Sequence, residues 1–163
     1  MNTQHKNNHG FTIIEIMVVL IIIGLSMFFG VSGYSRQVRA VQLRSDVERF
    51  VDELERARQM TIARDLQGVT TCDFEGYLVS ITPSTGVYNF KRRCGGIDVT
   101  VLSSKLASVL FPTGVSDIVF TFPYGNATLS QTVKISHSSI NQCITIRIPI
   151  QGAVSVDDPA PCS

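Results

Sequence analysis

The sequence predicts an α+β fold in which a long amino-terminal helix packs on an antiparallel β-sheet domain. Three observations predict it. Residues 11–31 form an almost unbroken apolar run with one charge, Glu15. Residues 43–57 then repeat apolar side chains at helical spacing. From Gly68 onward the apolar period changes to two, with turn residues between the segments. A helix followed by strands is the element order of an α+β chain.

Composition limits the alternatives. The chain has 163 residues, enough for one domain with a modest core. It is 44% hydrophobic and 17% charged, which excludes a disordered chain. A formal net charge of +1 gives no global attraction for nucleic acid or for an acidic partner.

Residues 1–10, MNTQHKNNHG, are polar and end in Gly10. The run that follows is predicted to be a membrane-spanning helix over 11–33, because about 20 apolar helical residues cross a hydrocarbon core. A water-exposed helix would keep a polar face, and this run has none. A cleaved secretory signal ending at GVSG, 30–33, is the alternative. The length of the run and the burden of Glu15 oppose it.

Residues 34–67 continue the helix as an amphipathic segment. Leu43, Val47, Phe50, Val51, Leu54 and Ala57 form one stripe. Asp46, Glu48, Arg49, Asp52, Glu53, Glu55, Arg56 and Arg58 fill the other positions and read as a solvated face. SDVE, 45–48, has the form of a capping box but lies inside the helical pattern. The helix is predicted to stop between Asp65 and Gly68, with glycine as the terminator.

Residues 68–163 form the β domain. YLVSIT and VYNFKR flank the turn sequence PSTG. IDVTVL, SVLF, DIVFTF, TVKIS, CITIRI and AVSV are further strands. They are expected to form one antiparallel sheet, with a face covering the helix stripe. The four cysteines, Cys72, Cys94, Cys143 and Cys162, lack the spacing of a metal or redox site and fit disulfides in an oxidising compartment. Four cysteines allow three pairings. Cys72 and Cys94 bracket the first hairpin, and Cys143 and Cys162 the last, which favours those two pairs.

The stretch G-FTIIEIMVVLIIIG, 10–24, resembles the amino-terminal signature of type IV pilins and pseudopilins: a polar leader ending in glycine, then Phe-Thr-x-x-Glu and an apolar run. The resemblance implies the following. A prepilin peptidase cuts between Gly10 and Phe11, and the new amino group of Phe11 is methylated. The protein sits in the bacterial inner membrane as a single-pass protein with its carboxy-terminal domain in the periplasm. An inner-membrane assembly platform then moves it into a pilus or pseudopilus beside other pilin subunits. Lipid is its partner before assembly. No cofactor is implied, and the chain would be a structural subunit, not an enzyme.

FPTG, IVFTFPYGN and CITIRIPIQGAV are similar to the carboxy-terminal domain of H-type pseudopilins of type II secretion and of FimT/FimU-type minor pilins. Four cysteines favour a minor pilin of a type IV pilus, with the H-type secretion subunit, or a minor pilin that binds DNA or cargo, as the alternatives. Major pilins usually carry a proline near the end of the apolar segment, and none occurs between Phe11 and Asp65.

Glu15 then has a reason. A charge at the centre of a spanning helix costs about 2.5–3.5 kcal/mol. Cleavage creates a counter-charge, the Phe11 amino group, four residues before Glu15 on the same helix. In the family the glutamate is thought to meet that amine on an adjacent subunit. Lys6 before the span and Arg36, Arg39 and Arg44 after it would alone place the β domain in the cytoplasm. The cysteines and the signature place it in the periplasm.

No nucleophile motif, phosphate loop or metal spacing occurs in the sequence. His137, in KISHSS, reads as a surface or strand histidine. Lys91, Arg92 and Arg93 form the one basic cluster of the β region and are the candidate DNA contact, since some FimT-like pilins contribute to DNA uptake and phosphate contacts need such a cluster. The same three residues also suit a solvated strand end. NAT, 126–128, matches a glycosylation acceptor and reads as a turn.

Overall fold

The computed structural model describes residues 12–66, 68, 71–137 and 139–162, with the side chains of 28–33 outside the description. The chain divides between Val38 and Arg39 into two compact units.

Helix α1, Ile13–Ile62, runs through both units. In the first unit it opens on Thr12. The Glu15 amide donates to Thr12 Oγ1 at 3.3 Å and to the Thr12 carbonyl at 3.1 Å, and the Ile16 amide to that carbonyl at 3.2 Å. Thr12 is thus the helix cap, and the helix starts two residues later than the apolar run. Ile13, Ile14, Ile16, Val18, Leu20 and Met27 are among the apolar side chains left exposed along it. Among the described residues no helix is long and apolar enough to cross a membrane. The predicted span is 11–33, but Phe11 and the side chains of 28–33 lie outside the described residues. The 13–27 stretch left is shorter than the roughly 20 residues a bilayer core needs.

In the second unit, Leu43, Val47, Phe50, Leu54 and Ala57 are fully buried, one stripe at spacings of four, three, four and three. Four charges expected in solvent are not fully there. Asp46 and Glu53 are half-buried. Arg58 is buried and Glu55 half-buried, because the α1 face they share is also covered by the loops around Gly125 and Gly152. The helix ends earlier than expected and without glycine. Arg64 takes a left-handed conformation, φ 50°, the Asp65 amide reaches back to the Met60 carbonyl at 3.0 Å, and the Arg64 amide to Thr61 at 3.2 Å. This is a Schellman stop. Tertiary contacts support it: Tyr77 donates its hydroxyl to the Asp65 carbonyl at 2.5 Å, Arg92 donates to the Leu66 carbonyl, and the Arg64 guanidinium lies 5.7 Å from the Phe122 ring centre.

The strands are β1 Phe74–Ile81, β2 Val87–Cys94, β3 Ile97–Lys105, β4 Val109–Leu110, β5 Ile118–Thr121, β6 Asn126–Ala127, β7 Gln131–His137, β8 Cys143–Ile148 and β9 Ser155–Val156. All pair antiparallel, in two sheets where the sequence suggested one. Their orders are β3-β2-β1-β5-β6 and β4-β7-β8-β9. The chain leaves the first sheet after β3 because Leu106 is drawn into the core and packs over the β1–β2 turn. The approach is close enough that a Cβ on Gly86 would lie 2.7 Å from the Leu106 carbonyl oxygen and 2.8 Å from that of Val109. Asn126 and Ala127, expected in a turn, form β6 and pair with Thr121 and Phe120.

Alternation builds the core. Tyr88 and Phe90 of β2, Ile118 and Phe120 of β5, Val133 and Ile135 of β7, and Ile144, Ile146 and Ile148 of β8 are buried. Phe50 of α1 anchors them, with ring centres 5.1 Å from both Tyr88 and Phe111. In β1 a bulge at Glu75 brings Gly76 against β5. A Cβ there, at φ 148°, would sit 1.9 Å from the Phe120 carbonyl oxygen. Disulfides join Cys72 to Cys94 and Cys143 to Cys162, with Cα separations of 5.5 and 5.0 Å.

Candidate functional site: the amino-terminal motif and its domain

Gly10 and Phe11, the predicted cleavage and methylation residues, lie outside the described residues. Glu15 is described. It is exposed in the first turn of α1, where a carboxylate meets the positive end of the helix dipole. Thr12, Ile13, Ile14 and Glu15 together have the T-x-x-E pattern of a capping box, and Thr12 caps the Glu15 amide. Sequence reasoning noticed that pattern at 45–48 and missed it here, where it sets the helix start.

The basic triplet does not form one patch. Strand alternation turns Arg92 to the α1 side, where it is buried and donates to the Leu66 carbonyl. Lys91 and Arg93 point to the other side. Arg93 is held by Asp98 through hydrogen bonds of 2.7 and 3.0 Å, and that contact pulls the Asp98 carboxyl below its ordinary pKa. Lys91 makes no ion pair among the described residues, and its charge also acts on Asp98.

Inside the domain two polar clusters fix the helix to the sheets. Arg58 Nε donates to the Gly125 carbonyl at 3.2 Å and Nη1 to the Gly152 carbonyl. Nη1 also pairs with Glu55 at 3.1 Å, and the guanidinium lies 5.3 Å from the Phe120 ring centre. Glu55 in turn accepts the Val154 amide at 3.0 Å. One helix turn thus holds the β5–β6 turn and the β8–β9 loop. At the other end of this helical segment, Asp46 accepts the Ser108 amide at 3.2 Å. His137 is buried at the end of β7, and its Nδ1 accepts the Ser139 amide at 2.9 Å. Burial first, then the Arg39 charge, lowers the His137 pKa, against a smaller opposing effect of Asp46. Among the described residues no group of three or more His, Cys, Asp or Glu side chains could hold a metal.

Residues 5–30 match the family model described as the prokaryotic N-terminal methylation motif. No curated protein and no solved structure matches the chain. The motif is typical of type IV pilins and pseudopilins, which are structural subunits. An amino-terminal helix packed on an antiparallel β domain is the pilin-like α+β architecture. Motif and architecture together support a type IV pilin-like protein, of the class that assembles with other pilin subunits after prepilin peptidase processing.

Proposed function

We propose that this chain is a minor pilin subunit of a type IV pilus. Residues 1–10 are its leader, 11–33 its membrane and filament-core helix, 34–67 the continuation of that helix, and 68–163 its disulfide-bonded β domain. Prepilin peptidase cuts after Gly10, and Phe11 becomes the methylated amino terminus. The subunit waits in the inner membrane with its β domain in the periplasm. It then enters the filament at or near the tip, where it helps to prime assembly.

The observation that carries this reading is the methylation motif at 5–30 leading into a helix whose apolar side chains at 13–27 are exposed among the described residues. Such a surface requires lipid or other helices around it. The four cysteines and the absence of proline between Phe11 and Asp65 favour a minor subunit over a major one. Glu15 serves as the counter-charge to a Phe11 amino group, so that neither charge is buried alone in the filament core.

The test is mass spectrometry of the protein recovered from its membrane and from sheared filaments. The mature chain should begin at Phe11 and carry one added methyl group, and deletion of the peptidase should restore residues 1–10. A membrane form that begins at Met1 in cells with active peptidase refutes the proposal.

A further inference from the structure

The two sheets end on four strands among the described residues. Three of them, β4, β6 and β9, have two residues each, and the fourth, β3, has nine. A sheet edge presents backbone N–H and C=O groups that only another extended chain can pair in a continuous ladder, and folded proteins usually keep such edges short or guarded. β3 has no proline. Its one irregularity, at Val101, leaves regular pairing on both sides, from Ile97 to Thr100 and from Leu102 to Lys105.

Both faces of this strand are uncovered, and they differ in chemistry. Toward α1 stand Ile97, Val99 and Leu102, paired with Cys94, Arg92 and Phe90, and 68%, 46% and 43% exposed. Beside them, between α1 and β3, is a cavity of about 150 Å³ whose lining includes the charged Glu53 and Arg56 together with Met60, Tyr77, Phe90 and Leu102. The opposite face carries Asp98, Thr100, Ser103 and Lys105, with Lys91 beside Thr100. Arg93 satisfies Asp98, whereas Lys91 and Lys105 make no ion pair among the described residues. Lys91 also acts on Asp98 electrostatically, and the face as a whole keeps an excess of positive charge.

We propose that β3 is an acceptor edge for a strand from another protein chain. The strand has aliphatic residues at alternate positions toward α1 and glutamate or threonine at the others. Backbone hydrogen bonds extend the five-stranded sheet by one strand. The aliphatic side chains cover Val99 and Leu102 and reach the cavity, and the acids meet Lys91 and Lys105 across the strand pair. This assignment rests on the β domain alone and stands or falls independently of amino-terminal processing.

The test uses the full chain in detergent micelles and a fluorescent, capped nonapeptide, Thr-Val-Glu-Val-Thr-Val-Glu-Val-Thr, followed by anisotropy. Saturable binding is expected, with slowed amide exchange confined to β3. Replacing both glutamates of the peptide by lysine should weaken it roughly tenfold or more. Methylating alternate peptide amides on the edge-facing side should abolish it. Thr100→Pro in the protein should weaken it to a similar degree, and Leu102→Lys provides the same test should the proline disturb the fold. The proposal is overturned by a peptide that does not bind, or by binding indifferent to amide methylation and to both variants. It is also overturned by a chain that fills this edge itself, seen as a dimer that Thr100→Pro converts to monomer.

Discussion

Replacing Arg58 by methionine removes a buried cation while keeping an unbranched apolar stem over Phe120. Two carbonyls, of Gly125 and Gly152, lose charged donors, and Glu55 loses its ion pair. Hydrogen bonds to charged groups contribute about 1.5–3 kcal/mol each, and truncating one partner of a buried pair costs about 3–5 kcal/mol. The Glu55 side chain is 34% exposed and keeps the Val154 amide, so water screens the charge left behind and the cost falls toward the lower end. We expect about 3 kcal/mol for Arg58→Met. Arg58→Ala should cost about 1 kcal/mol more, because it also strips the stem from the Phe120 ring. The assay is urea unfolding of the full chain in micelles with both disulfides intact. Near-ultraviolet circular dichroism of the tyrosines reports the transition, since the chain has no tryptophan. An Arg58→Met cost within about 0.5 kcal/mol, the range of an ordinary surface substitution, would refute the argument that this cation clamps the loops to α1.

Three further outcomes can be checked. Gly76→Ala places a methyl group on the Phe120 carbonyl at a φ that side chains rarely adopt, so it should cost about 3 kcal/mol or more, or prevent folding, while Gly95→Ala, where a Cβ meets open space, should cost only its backbone strain of about 1 kcal/mol. His137 has a folded pKa below its unfolded value, so the unfolded chain binds the proton first. Stability should be flat above about pH 6.5 and fall as pH drops through that value, and His137→Gln should remove the slope in that window, measured by unfolding midpoints at fixed ionic strength. Glu15→Ala should leave the amount of protein in the membrane unchanged and reduce its incorporation into sheared filaments several-fold by immunoblot, and incorporation at the wild-type level would remove Glu15 from the assembly mechanism.

Much of the architecture was legible because it is written in short periods. The stripe of Leu43, Val47, Phe50, Leu54 and Ala57 needs only the 3.6-residue repeat, and β2, β7 and β8 need only the alternation of two. What escaped were decisions made by partners distant in sequence. Arg58 looks like its exposed neighbours until Gly125 and Gly152, 67 and 94 residues away, arrive as acceptors. The helix stops at Ile62, not at a glycine, because Tyr77 and Arg92 hold the carbonyls of Asp65 and Leu66. The basic triplet reads as a cluster along the chain, yet a strand sends consecutive residues to opposite faces.

The sequence by itself determined the amino-terminal device. That motif of glycine, aromatic residue and acid is read by position along the chain, and residues 5–30 match the model of the prokaryotic N-terminal methylation motif. It also determined most of the kinds of element, β6 excepted, since these follow from local periodicity. Only the tertiary structure decided that the strands divide into two sheets, that β3 is left as the one long open edge among the described residues, and which charges are buried. Those depend on which segments compete for the same core and the same backbone partners, a competition that no single stretch of sequence contains.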